Sequence, residues 1–133
     1  MSPITVVLGA SAKSWRYAHK ACLRLLSAGE QVVAIGGRKG MIGDLPIHTE
    51  LPADVRVDTV TIYLSAANQH VWKDAVIQWR PRRVIFNPGA ENAAFADHLV
   101  KAGIEVIHAC TLVMIATGGY RNADQPLSSD RLG

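Results

Sequence analysis

Three short stretches hold most of the residues able to do chemistry, and each follows a run of β-branched apolar residues. The first, Gly9-Ala10-Ser11-Ala12-Lys13-Ser14, supplies a glycine, two hydroxyls and a cation, with Arg16 just beyond. It leads into a helix-patterned segment. Free N–H groups and the dipole at a helix N-terminus favour an anion such as a phosphate. The full G-x-G-x-x-G fingerprint is absent, because positions 11 and 14 are serine, and an ordinary strand-to-helix turn has the same outline.

The second stretch, Gly36-Gly37-Arg38-Lys39-Gly40, discriminates better. A site for NAD wants a carboxylate at the end of the second strand, to accept hydrogen bonds from the ribose diol. Here two cations stand in that place. Beside a glycine-permitted backbone they suit a further phosphate on the ribose, as in coenzyme A (3′) or NADP (2′). The plainer alternative is a pair of solvated turn charges.

The third stretch is Asn87-Pro88-Gly89-Ala90-Glu91-Asn92. Pro88 and Gly89 shape a turn, Asn87 stands at a strand tip, and Asn92 either caps the next helix or meets a ligand. Glu91 has no Ser, Cys or second acid beside it in sequence, so it forms no recognisable catalytic set. Cys110 begins a closing helix at the same edge, where a helix N-terminus can activate a thiol; a buried, inert cysteine is the commoner outcome. The five histidines show no metal-ligand spacing with the two cysteines. Trp72 and Trp79 fit helical core packing, and of the three tyrosines only Tyr63 falls at a strand's carboxyl end.

These residues need a scaffold that gathers them, and the pattern supplies one. Ile4 to Leu8 reads as a strand buried on both faces. Ala18, Ala21, Cys22, Leu25 and Leu26 recur at helical spacing, with Lys20 and Arg24 facing outward and Gly29 as the stop. Gln31 to Ile35 is a second strand, Gly36 through Pro52 a loop, and Val57 to Leu64 a third strand. A helix marked by Trp72, Ala75, Val76 and Trp79 must end before Pro81. Val84 to Phe86, a helix carrying Phe95 and Leu99, the strand Ile104 to Ile107 and a helix from Cys110 to Thr117 complete the chain. The alternation predicts an α/β, Rossmann-like three-layer sandwich with a parallel sheet of about five strands in the order 3-2-1-4-5. Ligands in such sheets bind beyond the carboxyl ends of the strands, where the three stretches lie.

Composition is consistent with one domain over residues 1–120 and a polar, loosely attached tail over 121–133. With 133 residues, 49% of them hydrophobic, the chain can bury a real core. The apolar runs stop short of the roughly 18 residues a membrane span needs, and two cysteines make no secreted disulfide framework. A soluble protein of the reducing cytoplasm is expected, with a homodimer left open. Net charge is +3, but the cations are scattered without an aromatic platform, so nucleic acid is not expected as a partner.

Gly9-Ala10-Ser11 with Lys13, Arg16 and Tyr17, Gly36-x-Arg38-x-Gly40-x-x-Gly43, Val57-Asp58-Thr59-Val60, Asn87-Pro88-Gly89-x-Glu91-Asn92 and Ala109-Cys110-Thr111 together resemble the stand-alone CoA-binding domain proteins. That family is similar in turn to the nucleotide-binding domain of the succinyl-CoA synthetase α subunit. The resemblance runs from about Ile4 to about Tyr120. It implies that Ser11 and its neighbours hold the diphosphate, that Arg38 and Lys39 lie near the adenosine end, and that the segment after Leu64 borders the pantetheine arm with Asn87. Many members of the wider family carry a proline-containing segment where this chain has Ile35-Gly36-Gly37-Arg38. The phosphohistidine and additional domains of the synthetase have no counterpart here.

The expected ligand is therefore CoA or an acyl-CoA, with NADP as the alternative, bound without catalysis. The rival readings are an NADP-dependent reductase and a CoA-linked transferase subunit using Cys110. The expected contacts are Gly9, Ala10, Ser11, Lys13, Ser14 and Arg16 in the first stretch, then Gly36, Arg38 and Lys39 in the second. Leu64, Asn87, Pro88, Gly89, Asn92 and Cys110 complete the set.

Overall fold

A computed structural model describes residues 3–122. Its first strand, β1 (Ile4–Leu8), is buried on both faces from Thr5 onward, as an uncharged β-branched run should be. α1 (Tyr17–Ser27) returns the chain to β2 (Gln31–Ile35), which pairs with β1 in parallel, Leu8 opposite Ile35. Ala18, Ala21, Cys22 and Leu25 face the sheet, whereas Leu26 is exposed.

The segment from Gly36 to Pro52 is not all loop. It contains a hairpin of β3 (Gly40–Ile42) and β4 (Leu45–His48), turned through Gly43 at φ +60°. The signal is present in sequence: a two-residue Gly43-Asp44 turn between short apolar pieces. β4 then pairs in parallel with β2, Ile35 opposite His48.

After β5 (Val57–Ile62) come a 3-10 turn (Ala66–Asn68), α2 (Lys73–Trp79), β6 (Arg83–Phe86), α3 (Ala93–Lys101) and β7 (Glu105–His108). Two short helices follow, α4 (Thr111–Ala116) and α5 (Gly119–Asn122). The sheet has seven strands in the order β3-β4-β2-β1-β5-β6-β7, all parallel except the β3–β4 pair.

The α/β Rossmann-like class stands, but the order 3-2-1-4-5 is corrected. The third long strand, β5, lies against β1 on the side away from β2. The cause is local. The hairpin occupies the sheet position beside β2, and β5, buried on both faces from Thr59 to Ile62, belongs at the centre. The connection into β5 lays Leu51 and Val55 over the same face as α2 and α3. The order of the five long strands becomes 2-1-3-4-5, which puts the ligand-binding switch point at the β1/β5 crevice.

One layer packs Val76, Phe95 and Leu99 on Val6, Leu8, Val60, Ile62, Val84 and Phe86. The other packs Ala18, Cys22, Leu25 and Tyr120 on Val7, Ala34 and Ile85. On this second face Thr5, Thr59 and Arg83 form a buried polar row. Arg83 Nε donates to Thr59 Oγ1 (2.9 Å), an Arg83 NH2 group donates to the Tyr120 carbonyl (3.1 Å), and the guanidinium lies 4.5 Å from the centre of the Tyr120 ring. The Tyr120 and Thr5 hydroxyls share a hydrogen bond. Where the polar tail is expected to begin, Arg121 and Asn122 belong to α5, and Arg121 pairs with the buried Glu30 at 2.7 Å. The rest of that tail lies outside the described residues.

Gly36 fixes how closely the carboxyl ends of β1 and β2 approach. A Cβ there would sit 2.2 Å from the Ala10 carbonyl oxygen, a position no rearrangement of a side chain relieves. At Gly37 a Cβ would meet nothing within 4 Å. Gly36→Ala should therefore destabilise the protein by about 2 kcal/mol or more in urea unfolding, and Gly37→Ala by under about 1 kcal/mol. Equal midpoints for the two variants would contradict the packing described.

Candidate functional site

Two hollows open at the carboxyl edge of the sheet, one on each side of the start of α1. The first, of about 530 Å³, is lined by Ala10, Ser11, Ala12, Lys13, Gly37, Arg38 and Lys39, so the loops after β1 and β2 form it jointly. Their joining is a matter of backbone hydrogen bonds. The N–H groups of Gly9 and Ala10 both donate to the Ile35 carbonyl, at 2.8 and 2.9 Å, and Gly36 N–H donates to His48 at 2.8 Å. Gly9 makes the turn at φ +100°, tight against Tyr63 and Leu64.

Within the first loop, the Ser11 hydroxyl accepts the Lys13 N–H at 3.1 Å. Arg16, extended at φ −75° and ψ 140°, holds the N-cap position of α1, and its side chain makes no cap hydrogen bond. Among the described residues no backbone acceptor meets the first-turn amides of α1. Lys13, Arg38 and Lys39 are exposed around this opening; Ser14 and Arg16 are exposed as well but do not line it. The first two stretches thus converge as the sequence predicts. The first loop, with Lys13, forms one wall of the hollow, and Arg38 and Lys39 form the other.

The second hollow, of about 250 Å³, is lined by Tyr17, Tyr63, Asn87, Pro88, Cys110 and Leu112. It is mostly apolar in character. Asn87 forms part of its wall but is also structurally committed: Nδ2 donates to Thr61 Oγ1 (2.7 Å) and the Ile62 carbonyl (2.9 Å), while Oδ1 accepts Thr111 N–H (2.8 Å). Asn87 thereby ties β5, β6 and the head of α4 together. The Thr61 and Thr111 hydroxyls add a bond of 2.7 Å. Burial pushes the Tyr63 phenol well above its usual range; its hydroxyl lies near those of Thr111 and Thr61, which offset this in part without completing a well-formed hydrogen bond.

Asn92 caps α3, its Oδ1 accepting Phe95 N–H at 3.1 Å, and its Nδ2 donates to Gln69 Oε1 at 3.0 Å. Gln69 is fully buried and donates to the carbonyls of Leu64 (2.8 Å) and Ala90 (2.7 Å). It clamps the loop after β5 to the loop after β6, placing Leu64 at the junction. Gly89, at φ +92°, gives its N–H to the Glu91 carboxylate at 3.0 Å, so Glu91 serves the turn. Gly89 and Asn92 support the second hollow without lining it.

Besides Tyr63, four contributors lie outside the contacts expected from the sequence. Tyr17 and Leu112 line the second hollow because the first turns of α1 and α4 face each other there. Gln69 and His19 act from behind the loops. Their sequence signal is only a polar residue at a position the helical or loop pattern buries. Among the described residues no group of three or more His, Cys, Asp or Glu side chains could hold a metal ion.

Cations and amides gathered at the carboxyl ends of β1 and β2, next to an apolar recess, make a geometry that suits a nucleotide with a long, less polar arm. A family model for the CoA binding domain matches residues 4–116. The chain belongs to the CoA-binding domain family. The CoA-binding domain is similar in structure to an uncharacterized protein whose crystal structure is 39% identical, covering 90% of this chain and 98% of that one at a TM-score of 0.84. A protein of Thermus thermophilus follows at 21% identity, covering 87% and 89% at a TM-score of 0.78. The dinucleotide forming acetyl-coenzyme A synthetase 1 of Ca. Korarchaeum cryptofilum, in complex with phosphate and ADP, is 16% identical. That match covers 80% of this chain and 25% of the synthetase, with a TM-score of 0.68, and like the Thermus match it shows the fold alone. No curated protein matches the sequence. No helix among the described residues is long and apolar enough to cross a membrane.

The two thiols of the CoA-binding domain differ sharply. Burial in the α1 face of the core pushes the Cys22 thiol up to about 12, while Cys110 is partly exposed in the wall of the second hollow. Iodoacetamide at about pH 8 should modify Cys110 and spare Cys22 in the native protein, because only thiolate reacts. Peptide mass spectrometry checks this; modification of Cys22 at a comparable rate would contradict its burial.

Proposed function

We propose that this protein binds CoA or an acyl-CoA across the two hollows, and that it does so without a reaction of its own. The observation that carries the reading is the first hollow, where Gly36 lets the loops after β1 and β2 close on each other. Ser11 and the neighbouring amides take the diphosphate. Arg38 and Lys39 take the 3′-phosphate at the adenosine end. The pantetheine arm then follows the loops after β5 and β6, past Leu64, Asn87 and Pro88, into the apolar recess that contains Cys110.

The match is one of chemical character along the ligand. The polyanionic end of CoA meets cations and amides, and its less polar arm meets Tyr17, Tyr63 and Leu112. Glu91, the acid of the loop after β6, already accepts a backbone N–H, which supports binding in place of general-base work. A binding role in the cytoplasm over residues 1–120 is the remaining part of the proposal.

Calorimetric titration with CoA, dephospho-CoA and NADP tests it. Saturable binding of CoA is expected, tighter than that of NADP, and an absence of saturable heat with CoA overturns the reading. Arg38→Ala should weaken CoA by about tenfold and leave dephospho-CoA nearly unchanged, since only CoA carries the 3′-phosphate. Equal losses for both ligands would take Arg38 out of that role.

A further inference from the structure

His19 is the polar side chain that reaches the phosphate loop from the helix behind it. It is the third residue of α1, with only 9% of its surface exposed, and its Nδ1 lies 2.9 Å from the Ser11 carbonyl oxygen. A carbonyl oxygen can only accept, so Nδ1 carries the proton of this bond. An apolar side chain would satisfy the packing at this buried position equally well. The imidazole adds a directed hydrogen bond to the loop, eight residues away in sequence.

That bond sets the orientation of one peptide. The chain has no cis peptide among the described residues, and in a trans peptide the carbonyl and the following N–H point in opposite directions. Holding the Ser11 carbonyl towards α1 therefore turns the Ala12 N–H away from α1. Ala12 lines the first hollow. Among the described residues no acceptor meets its N–H, whereas the Lys13 N–H is taken up by the Ser11 hydroxyl.

We propose that His19 is a positioning residue for the phosphate loop: its Nδ1–H holds the Ser11 carbonyl and so aims the Ala12 amide at the ligand's diphosphate. The proposal rests on the CoA-binding reading and adds to it the side chain that prepares the loop beforehand. A loop ordered before binding loses less freedom on binding, so removing the anchor weakens affinity even though His19 does not touch the ligand.

Three variants test this. In His19→Asn the amide nitrogen is bonded to Cγ, as Nδ1 is in histidine, so the donor stays in place. His19→Gln carries its amide farther out, and His19→Leu keeps apolar bulk with no donor. Calorimetry with CoA and dephospho-CoA should show about a tenfold loss for the Leu and Gln variants. The loss should be equal for the two ligands, because both contain the diphosphate. The Asn variant should stay within about twofold of wild type.

Backbone amide hydrogen exchange over residues 9–16, measured without ligand, should be faster in the Leu and Gln variants and restored in the Asn variant. Wild-type affinity and exchange in His19→Leu, or no recovery in His19→Asn, overturns the proposal. If the Leu variant does not fold, the Asn and Gln pair decides in the same way. A wild-type protein that binds no CoA removes the functional reading, while the exchange comparison still supports or overturns the anchoring of the loop.

Discussion

The arrangement of the site depends on one close approach, that of Gly36 to the Ala10 carbonyl. Parallel strands in register bring the ends of β1 and β2 level, since Leu8 lies opposite Ile35. The two N–H groups that follow β1 then share the Ile35 carbonyl. This pulls the first loop over the end of β2, where a side chain would otherwise stand. With no Cβ in the way, the cations of the second loop come to rest beside the open amides of the first. The hairpin contributes by accepting the Gly36 N–H at His48, which fixes the second loop from its far side. The convergence of cations and open amides at this edge is thus a consequence of strand register and one missing methyl group.

The other half of the site is held by buried amides. Asn87 uses both side-chain heteroatoms to join β5, β6 and α4, and Gln69 uses both of its own to join the loops after β5 and β6 with the cap of α3. Each amide lies where an unmet polar atom would cost about 1–3 kcal/mol, so the network favours a single arrangement of these loops. The second hollow inherits its shape from them. Its apolar lining therefore rests on a polar frame, and the frame is what distinguishes a defined recess from a gap between two short helices.

Much of this was legible in the sequence, for identifiable reasons. The uncharged run at Ile4 to Leu8, the stop at Gly29, the cap at Asn92 and the barrier at Pro81 are local signals, and the elements follow them. The convergence of Ser11, Lys13, Arg38 and Lys39 followed from the rule that βα loops meet at one edge. Strand order did not. It was set by a hairpin with strands of three and four residues, too short for periodicity to register, which displaced β5 to the other side of β1. The roles of Gln69 and His19 were also hidden, because each depends on a carbonyl distant in sequence that only the folded backbone brings within reach.

Ion pairs stand at the amino ends of the strands, and exposed cations gather at their carboxyl ends. At the amino edge, Glu30 is paired with Arg121 and Asp58 with Arg82, so acidic and basic groups cancel there. At the carboxyl edge Lys13, Arg38 and Lys39 stay exposed, and Glu91 in the loop after β6 is turned onto a backbone N–H. α4 and α5 connect the two ends physically. Thr111 at the head of α4 is bound to Asn87 and Thr61, and Tyr120 in α5 is bound to Arg83 and Thr5. The same segment that closes the apolar recess thus covers the buried guanidinium, so the stability of the core and the shape of the recess cannot vary independently.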